Sequence, residues 1–393
     1  MNHPAPFACR MSRVTASAIM ELLKKTAQGE YISFASGLPD PSLFPAEKIA
    51  LITQEILAND SRAALQYGAA DGYAPLKAWV AERLRQRGLT DATPEHILIT
   101  HGSQQALDLT ARLFLDEGSP VLIESPSYLA AIQTFDSYEA TYLPVPVDSE
   151  GMCVEEAISA IKRTTPRLAF TLPNFQNPSG VTQSLERRQK LAEALAEKQI
   201  PLLEDDAYHD LRHSGQSLPP VTSLARNPYA VYTGTFSKIV APGLRVGYLY
   251  AQPELVNRLT QLKQITDLHS NSLSQRIVYQ FCERGWLDPQ IEMQNRVYSS
   301  RRKALLAALA ENLTGVAKWT EPEGGMFVLL SLPDSFNTKN LLVKAMERGV
   351  VYVPAESFYP NGGGESALRL NFVSATEEAI QRGIAVLTEV IHG

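Results

Sequence analysis

Between about residues 95 and 252, short apolar runs rich in β-formers alternate with amphipathic stretches, and this alternation limits the folds open to the chain. Residues 96–100 precede a helical pattern over 104–115, and residues 121–124 precede one over 128–135. Residues 168–172 lead to a helical pattern over 185–198, followed by 202–205. Strands apolar along their whole length, separated by helices, predict a mostly parallel sheet covered on both faces. In such sheets the chemistry gathers beyond the carboxyl ends of the strands. Asp205 ends one predicted strand and Thr235 another, so the two side chains can converge.

A long helical stretch over 253–312 then gives way to strand-like runs at 319–322, 325–330, 350–353 and 368–372. Helical patterns over 338–348 and 376–392 interleave with them, which predicts a second, smaller α/β lobe. A length of 393 residues suits two to three lobes. The expected division is an N-terminal segment and lid helix (1–43) belonging with the small domain, a large domain (44–287) and a small C-terminal domain (288–393). Asn361-Gly362-Gly363-Gly364 reads as a flexible loop, since no strand leads into it and no helix leaves it.

Composition removes several function classes. A net charge of −6 offers no basic footprint for nucleic acid and no polybasic membrane patch. No apolar run reaches the length of a membrane span, and Pro4, Pro6 and Arg10 interrupt any signal-peptide core. Cys9, Cys153 and Cys282 are far apart and read as free buried thiols in a reducing, cytoplasmic setting. No His pair has metal-ligand spacing, and no Gly-x-Gly-x-x-Gly follows a strand, so neither a metal enzyme nor a nicotinamide dehydrogenase finds support.

The densest chemistry lies in Thr235-Phe236-Ser237-Lys238, with Arg245 downstream and Asp205-Asp206-Ala207-Tyr208 upstream. One lysine thus stands among two hydroxyls, an arginine, an acid and a phenol. This is the inventory for holding pyridoxal phosphate (PLP): an amine for a Schiff base, hydroxyls and a guanidinium for phosphate, and a carboxylate for the pyridine nitrogen. Gly102-Ser103-Gln104 follows one predicted strand and opens a helix, where free amides and the helix dipole favour an anion. Taken singly, these motifs have plainer readings. Asp205-Asp206 would be a helix N-cap, Asn177-Pro178-Ser179-Gly180 a turn, Tyr128 a core tyrosine and Arg369 a solvent-facing strand residue.

Thr233-Gly234-Thr235-Phe236-Ser237-Lys238-Ile239-Val240-Ala241-Pro242-Gly243-Leu244-Arg245-Val246-Gly247 resembles the cofactor-lysine segment of fold-type I aminotransferases, and the resemblance runs along nearly the whole chain. Ser33-Phe34-Ala35-Ser36-Gly37-Leu38-Pro39, Ala64-Leu65-Gln66-Tyr67 and Gly362-Gly363-Gly364-Glu365 look like the broad-specificity group that includes 2-aminoadipate, kynurenine and aromatic aminotransferases. The same module forms the effector lobe of certain winged-helix regulators, but the motifs start near residue 12, which leaves no room upstream for a DNA-binding domain.

The resemblance implies a large domain with a mostly parallel, seven-stranded-type sheet between helices, a smaller α/β domain, and PLP as cofactor. It implies that Lys238 carries the cofactor and moves the substrate Cα proton, and that Asp205 meets the ring nitrogen. Tyr208 and Asn177 then hold the ring hydroxyl and Tyr128 stacks on the ring. Gly102, Ser103, Gln104, Thr235, Ser237 and Arg245 bind the phosphate, together with Tyr67 from a neighbouring subunit, which makes a homodimer with shared active sites. Arg369 clamps the substrate α-carboxylate beside Gly37 and Asn177.

The lid helix over 15–25 helps choose the side chain in related enzymes. Aminoadipate-type members place an arginine where this chain has Met20. A thioether there predicts neutral or aromatic amino donors, with Arg13 or Ser17 as polar partners for glutamate and 2-oxoglutarate. A lyase or decarboxylase and a non-catalytic PLP-binding module are the alternatives on the same fold.

Overall fold

The computed structural model describes residues 7–14, 22, 24 and 29–393. Its first strand, β1 (Ile32–Ser33), runs in from the N-terminal segment. The large sheet is built from β2 (Ile97–Thr100), β3 (Pro120–Ser125), β4 (Thr141–Asp148), β5 (Gly151–Met152), β6 (Leu168–Thr171), β7 (Leu202–Asp205), β8 (Ala230–Thr235) and β9 (Gly247–Ala251). Its order is β2-β9-β8-β7-β6-β3-β4-β5. The run from β8 through β7, β6 and β3 to β4 is parallel throughout. β9 lies antiparallel between β2 and β8, and the two-residue β5 adds an eighth, antiparallel strand to the seven expected.

The sheet is double-faced because its side chains alternate between two cores. Leu122, Ala169, Leu202 and Ala230 pack with the helices Val154–Arg163 and Leu185–Glu197 in one apolar cluster. Val121, Ile123, Phe170, Leu203 and Val231 point the other way, into the main core with the helix Ser103–Phe114. Burial of both faces is why these strands read as continuous apolar runs. β4 escapes that reading: Pro144 and Pro146 interrupt it, as a strand near a sheet edge tolerates, and half its length is exposed.

The helical stretch expected over 253–312 is three helices, Pro253–Asp267, Ser272–Glu283 and Leu287–Leu313. Leu268, at φ 64° and ψ −57°, ends the first in a tight three-residue turn, and Gly285 at φ 68° separates the others. The smaller sheet comprises β10 (Lys318–Trp319) and β11 (Phe327–Ser331), then, beyond β12 (Val350–Val351), β13 (Val353–Pro354) and β14 (Ala367–Asn371). Its order is β10-β11-β14-β13, all antiparallel. The strand expected over 350–353 is therefore split. Val350 and Val351 pair with Ile32 and Ser33 of β1, whereas Val353 pairs with Arg369. Between them Tyr352 turns into the core and donates its hydroxyl to the Thr338 carbonyl at 2.7 Å.

The glycine-rich loop at 362–364 folds around Tyr359, and a Cβ on Gly364 would strike that ring. All three cysteines are free, but only Cys282 is buried; Cys9 is exposed and Cys153 intermediate. Among the described residues no helix is long and apolar enough to cross a membrane.

Candidate active site

β7 and β8 pair in parallel with Asp205 opposite Thr233, so their carboxyl ends deliver Asp205 and the segment Thr235–Lys238 to one place. Asp205 is almost wholly buried, and its Oδ1 has no hydrogen-bond partner. Burial, with the Asp206 and Glu124 charges, pushes its carboxyl up to about 7 against the opposing pull of Lys238. Lys238 Nζ donates to the Gly37 carbonyl at 3.0 Å. Burial, then Arg369 and Arg245, lower its amine to about 8, with Asp205 opposing. Such an amine is partly neutral near physiological pH, as a nucleophile toward an aldehyde must be.

Residues 207–210 after β7 form a turn and not a helix, so Asp206 caps no helix. Its carboxylate accepts from Asn174 Nδ2 at 2.8 Å, Tyr232 OH at 2.8 Å and His209 Nδ1 at 3.0 Å.

Arg369, on β14, is fully buried rather than solvent-facing. Nη2 donates to the Ala35 carbonyl at 2.9 Å, and the guanidinium lies 4.2 Å from the centre of the Phe327 ring. Burial lowers it to about 10 while Tyr208 and Tyr128 oppose. Nε has no partner. Tyr208 is buried with its ring perpendicular to Phe327, 6.0 Å between centres. Burial, with Asp205 adding to it, raises the Tyr128 hydroxyl to about 12.

The loop holding Asn177 is tied down by Gln176, whose amide donates to Glu124 and to the Pro126 carbonyl while its oxygen accepts from Ser179. The sequence shows Phe327, Gln176 and Glu124 only as strand or turn residues. Nothing local marks them.

A second cluster lies at the N-terminus of the helix Ser103–Phe114. Gly102 sits at φ 72°, and a Cβ there would lie 2.6 Å from Arg245 Nη2. Arg245 donates to the His101 carbonyl at 3.0 Å. The Thr235 hydroxyl donates to Ser237 Oγ at 2.9 Å. Backbone amides at a helix start, a guanidinium and two hydroxyls form a phosphate-binding donor set.

A cavity of about 610 Å³ is lined by Gly37, Gln104, Tyr128, Asn177, Tyr208, Lys238, Phe327 and Arg369, with Val14, Leu38 and Leu129 on its apolar side. Asp205, Gly102, Ser103, Thr235, Ser237 and Arg245 are not among its lining residues, and Tyr67 and Arg13 also lie apart from it. Tyr67 is 76% exposed and meets the His269 ring edge-on at 5.6 Å. Arg13 donates to the Ala140 carbonyl at 3.2 Å and does not line the cavity. Ser17, Met20 and most of the lid helix lie outside the described residues. The unpartnered Asp205 oxygen and the Gly102 cradle fit PLP: one suits a ring N–H, the other a phosphate.

A family model described as aminotransferase class I and II matches residues 29–387. The aromatic-amino-acid aminotransferase 1 of Thermococcus litoralis is 42% identical over 396 residues, covering 100% of this chain and 95% of its own. The α-aminoadipate aminotransferase of Thermus thermophilus, solved with N-(5'-phosphopyridoxyl)-L-leucine, superimposes with a TM-score of 0.92 at 40% identity over 98% of this chain and 97% of that one. The kynurenine aminotransferase of Pyrococcus horikoshii, solved in complex with PMP, gives 0.93 at 39% identity over 98% and 97%.

Proposed function

The chain belongs to the class I and II aminotransferases, PLP-dependent enzymes that move an amino group from an amino acid to a 2-oxo acid, and from that premise we propose how its residues divide the task. When bound, the cofactor supplies an electron sink for the bonding pair released at the substrate Cα. Lys238 carries the cofactor and then moves the Cα proton through the same amine. Asp205 holds the proton on the ring nitrogen. Tyr208 and Asn177 orient the ring oxygen, and Tyr128 covers the ring face. Gly102, Ser103, Gln104, Thr235, Ser237 and Arg245 hold the phosphate. Arg369 clamps the substrate carboxylate beside Gly37 and Asn177, a planar guanidinium matching a planar anion.

The observation that carries this reading is the position of Lys238, its lowered amine beside the unpartnered Asp205 oxygen. Reduction of the holoenzyme with borohydride followed by peptide mapping should put the label on Lys238. A label on any other lysine removes the assignment.

The donor class is neutral or aromatic amino acids in preference to 2-aminoadipate. Met20 and the apolar side of the cavity, Val14, Leu38 and Leu129, support this. A kcat/KM for 2-aminoadipate well above those for leucine and phenylalanine would exclude it, while a Met20→Arg variant should gain acidic donors. Product formation should require an added 2-oxo acid, which separates transamination from a lyase.

The proposal extends to a cytoplasmic homodimer in which Tyr67 of the partner subunit reaches the phosphate. Exposed Leu65, Tyr67, Ile265 and Leu268 support it, and a monomer in sedimentation would remove it. Domain limits at 43/44 and 287/288 complete the reading, and the β1–β12 pairing accords with an N-terminal segment that travels with the small domain.

A further inference from the structure

β7 ends in Glu204-Asp205 and Asp206 follows directly, three consecutive acids that are all buried. Three carboxylates at one strand end repel one another unless each has its own partner. Glu204 accepts from the Val221 and Thr222 amides at 2.9 and 2.8 Å and from the Thr222 hydroxyl at 2.7 Å. Asp205 Oδ1 is left without a partner. Asp206 must therefore be answered within the protein, because its charge bears directly on Asp205.

Of the groups touching Asp206, Asn174 and Tyr232 bring dipoles only. Arg87 is near, but its guanidinium is taken by Asp210, with Nη2 at 2.7 and 2.6 Å from the two oxygens. His209 is the remaining contact that can match a charge. Nδ1 lies 3.0 Å from Asp206 Oδ2, and Nε2 lies 3.1 Å from the Ser217 hydroxyl, which fixes the ring at its far end. Burial pushes the Asp206 carboxyl up, yet His209, Arg87 and Asn174 outweigh it and hold the carboxyl well below its ordinary range.

We propose that His209 is a positioning residue for the cofactor: anchored on Ser217 and donating to Asp206, it takes up the Asp206 charge so that Asp205 stays ionised against the ring nitrogen. This rests on reading Asp205 as the acid that meets that nitrogen. His209 touches neither cofactor nor substrate and acts through the two aspartates. Glu124 adds a like charge to Asp205 and Lys238 opposes it, so the Asp206 charge is one part of a balance that several groups set.

Binding of two cofactors to the apo-protein tests it: PLP, and the analogue with a C–H in place of the ring nitrogen. His209→Gln should weaken PLP by about tenfold, the equivalent of one pKa unit at Asp205, and leave the analogue at its wild-type Kd. Ser217→Ala, a change at an exposed loop position that leaves the packing alone, should do the same more weakly. Equal losses for both cofactors in either variant, or no loss of PLP, would overturn the role. Wild-type protein that binds PLP and the analogue equally would instead remove the Asp205 reading, and this proposal with it.

Discussion

Arg369 Nη1 donates to the Asn177 side-chain oxygen at 2.9 Å, although the two residues are 192 positions apart. One stands on β14 of the small sheet and the other in the loop after β6 of the large sheet. The proposed carboxylate clamp is thus assembled between the sheets, with the Ala35 carbonyl and the Phe327 ring fixing the guanidinium from other sides.

Arg369→Lys keeps the charge but loses the planar fork. KM should rise by about ten- to a hundredfold for every amino donor, whatever its side chain, as expected when a charge-assisted bidentate contact is lost. Steady-state kinetics over a donor panel checks this. A rise confined to one donor class would make Arg369 a side-chain determinant instead.

Asp205→Asn removes the charge proposed to face the ring nitrogen, and turnover should fall by about a thousandfold. The apo-protein should respond in the opposite sense. The Asp205 carboxyl stands at about 7 in the fold, above its unfolded value, so the stability it allows at low pH is lost as pH rises from about 4 to 7. Apo Asp205→Asn should therefore melt higher than apo wild type at pH 8 and alike near pH 4. A lower melting temperature at pH 8 would mean that the charge is answered within the apo-protein.

Cofactor attachment should follow the Lys238 amine. With that amine lowered to about 8, the rate of absorbance change on mixing apo-protein with PLP should rise through pH 8 and level off above it. Arg369 contributes to the lowering, so Arg369→Met should move the midpoint upward. An unmoved midpoint would assign the lowering to burial and Arg245.

Gly102→Ala tests the phosphate cradle. Gly102 stands at φ 72° and ψ 173°, a region that costs an alanine about 1–3 kcal/mol, and the added Cβ would displace the Arg245 guanidinium. Equilibrium dialysis should show PLP and inorganic phosphate both weakened, PLP by about tenfold or more. Unchanged affinity would place the phosphate elsewhere.

Local patterns in the sequence report burial and chain direction, and these carried far. Apolar runs located β2, β3, β6 and β7, and the ends of β7 and β8 placed Asp205 beside the Lys238 segment. Side-chain chemistry, with the family resemblance, proposed the lysine, the acid and the phosphate donors, because few residue types can perform those tasks.

Partner choice was hidden from it. The prolines of β4, the reversed direction of β9 and the division of 350–353 between two sheets depend on which strand lies alongside. Phe327 beneath Arg369 and Gln176 on Glu124 carry no local signature. His209 looks like any histidine until Asp206 and Ser217 are seen on its two nitrogens. Hydrogen bonds and charge pairs act over a few ångströms of space, while the sequence orders residues along one dimension. The chain by itself therefore determined which chemistry was available, and only the tertiary structure decided which groups answer one another and so which acid is left free for the cofactor.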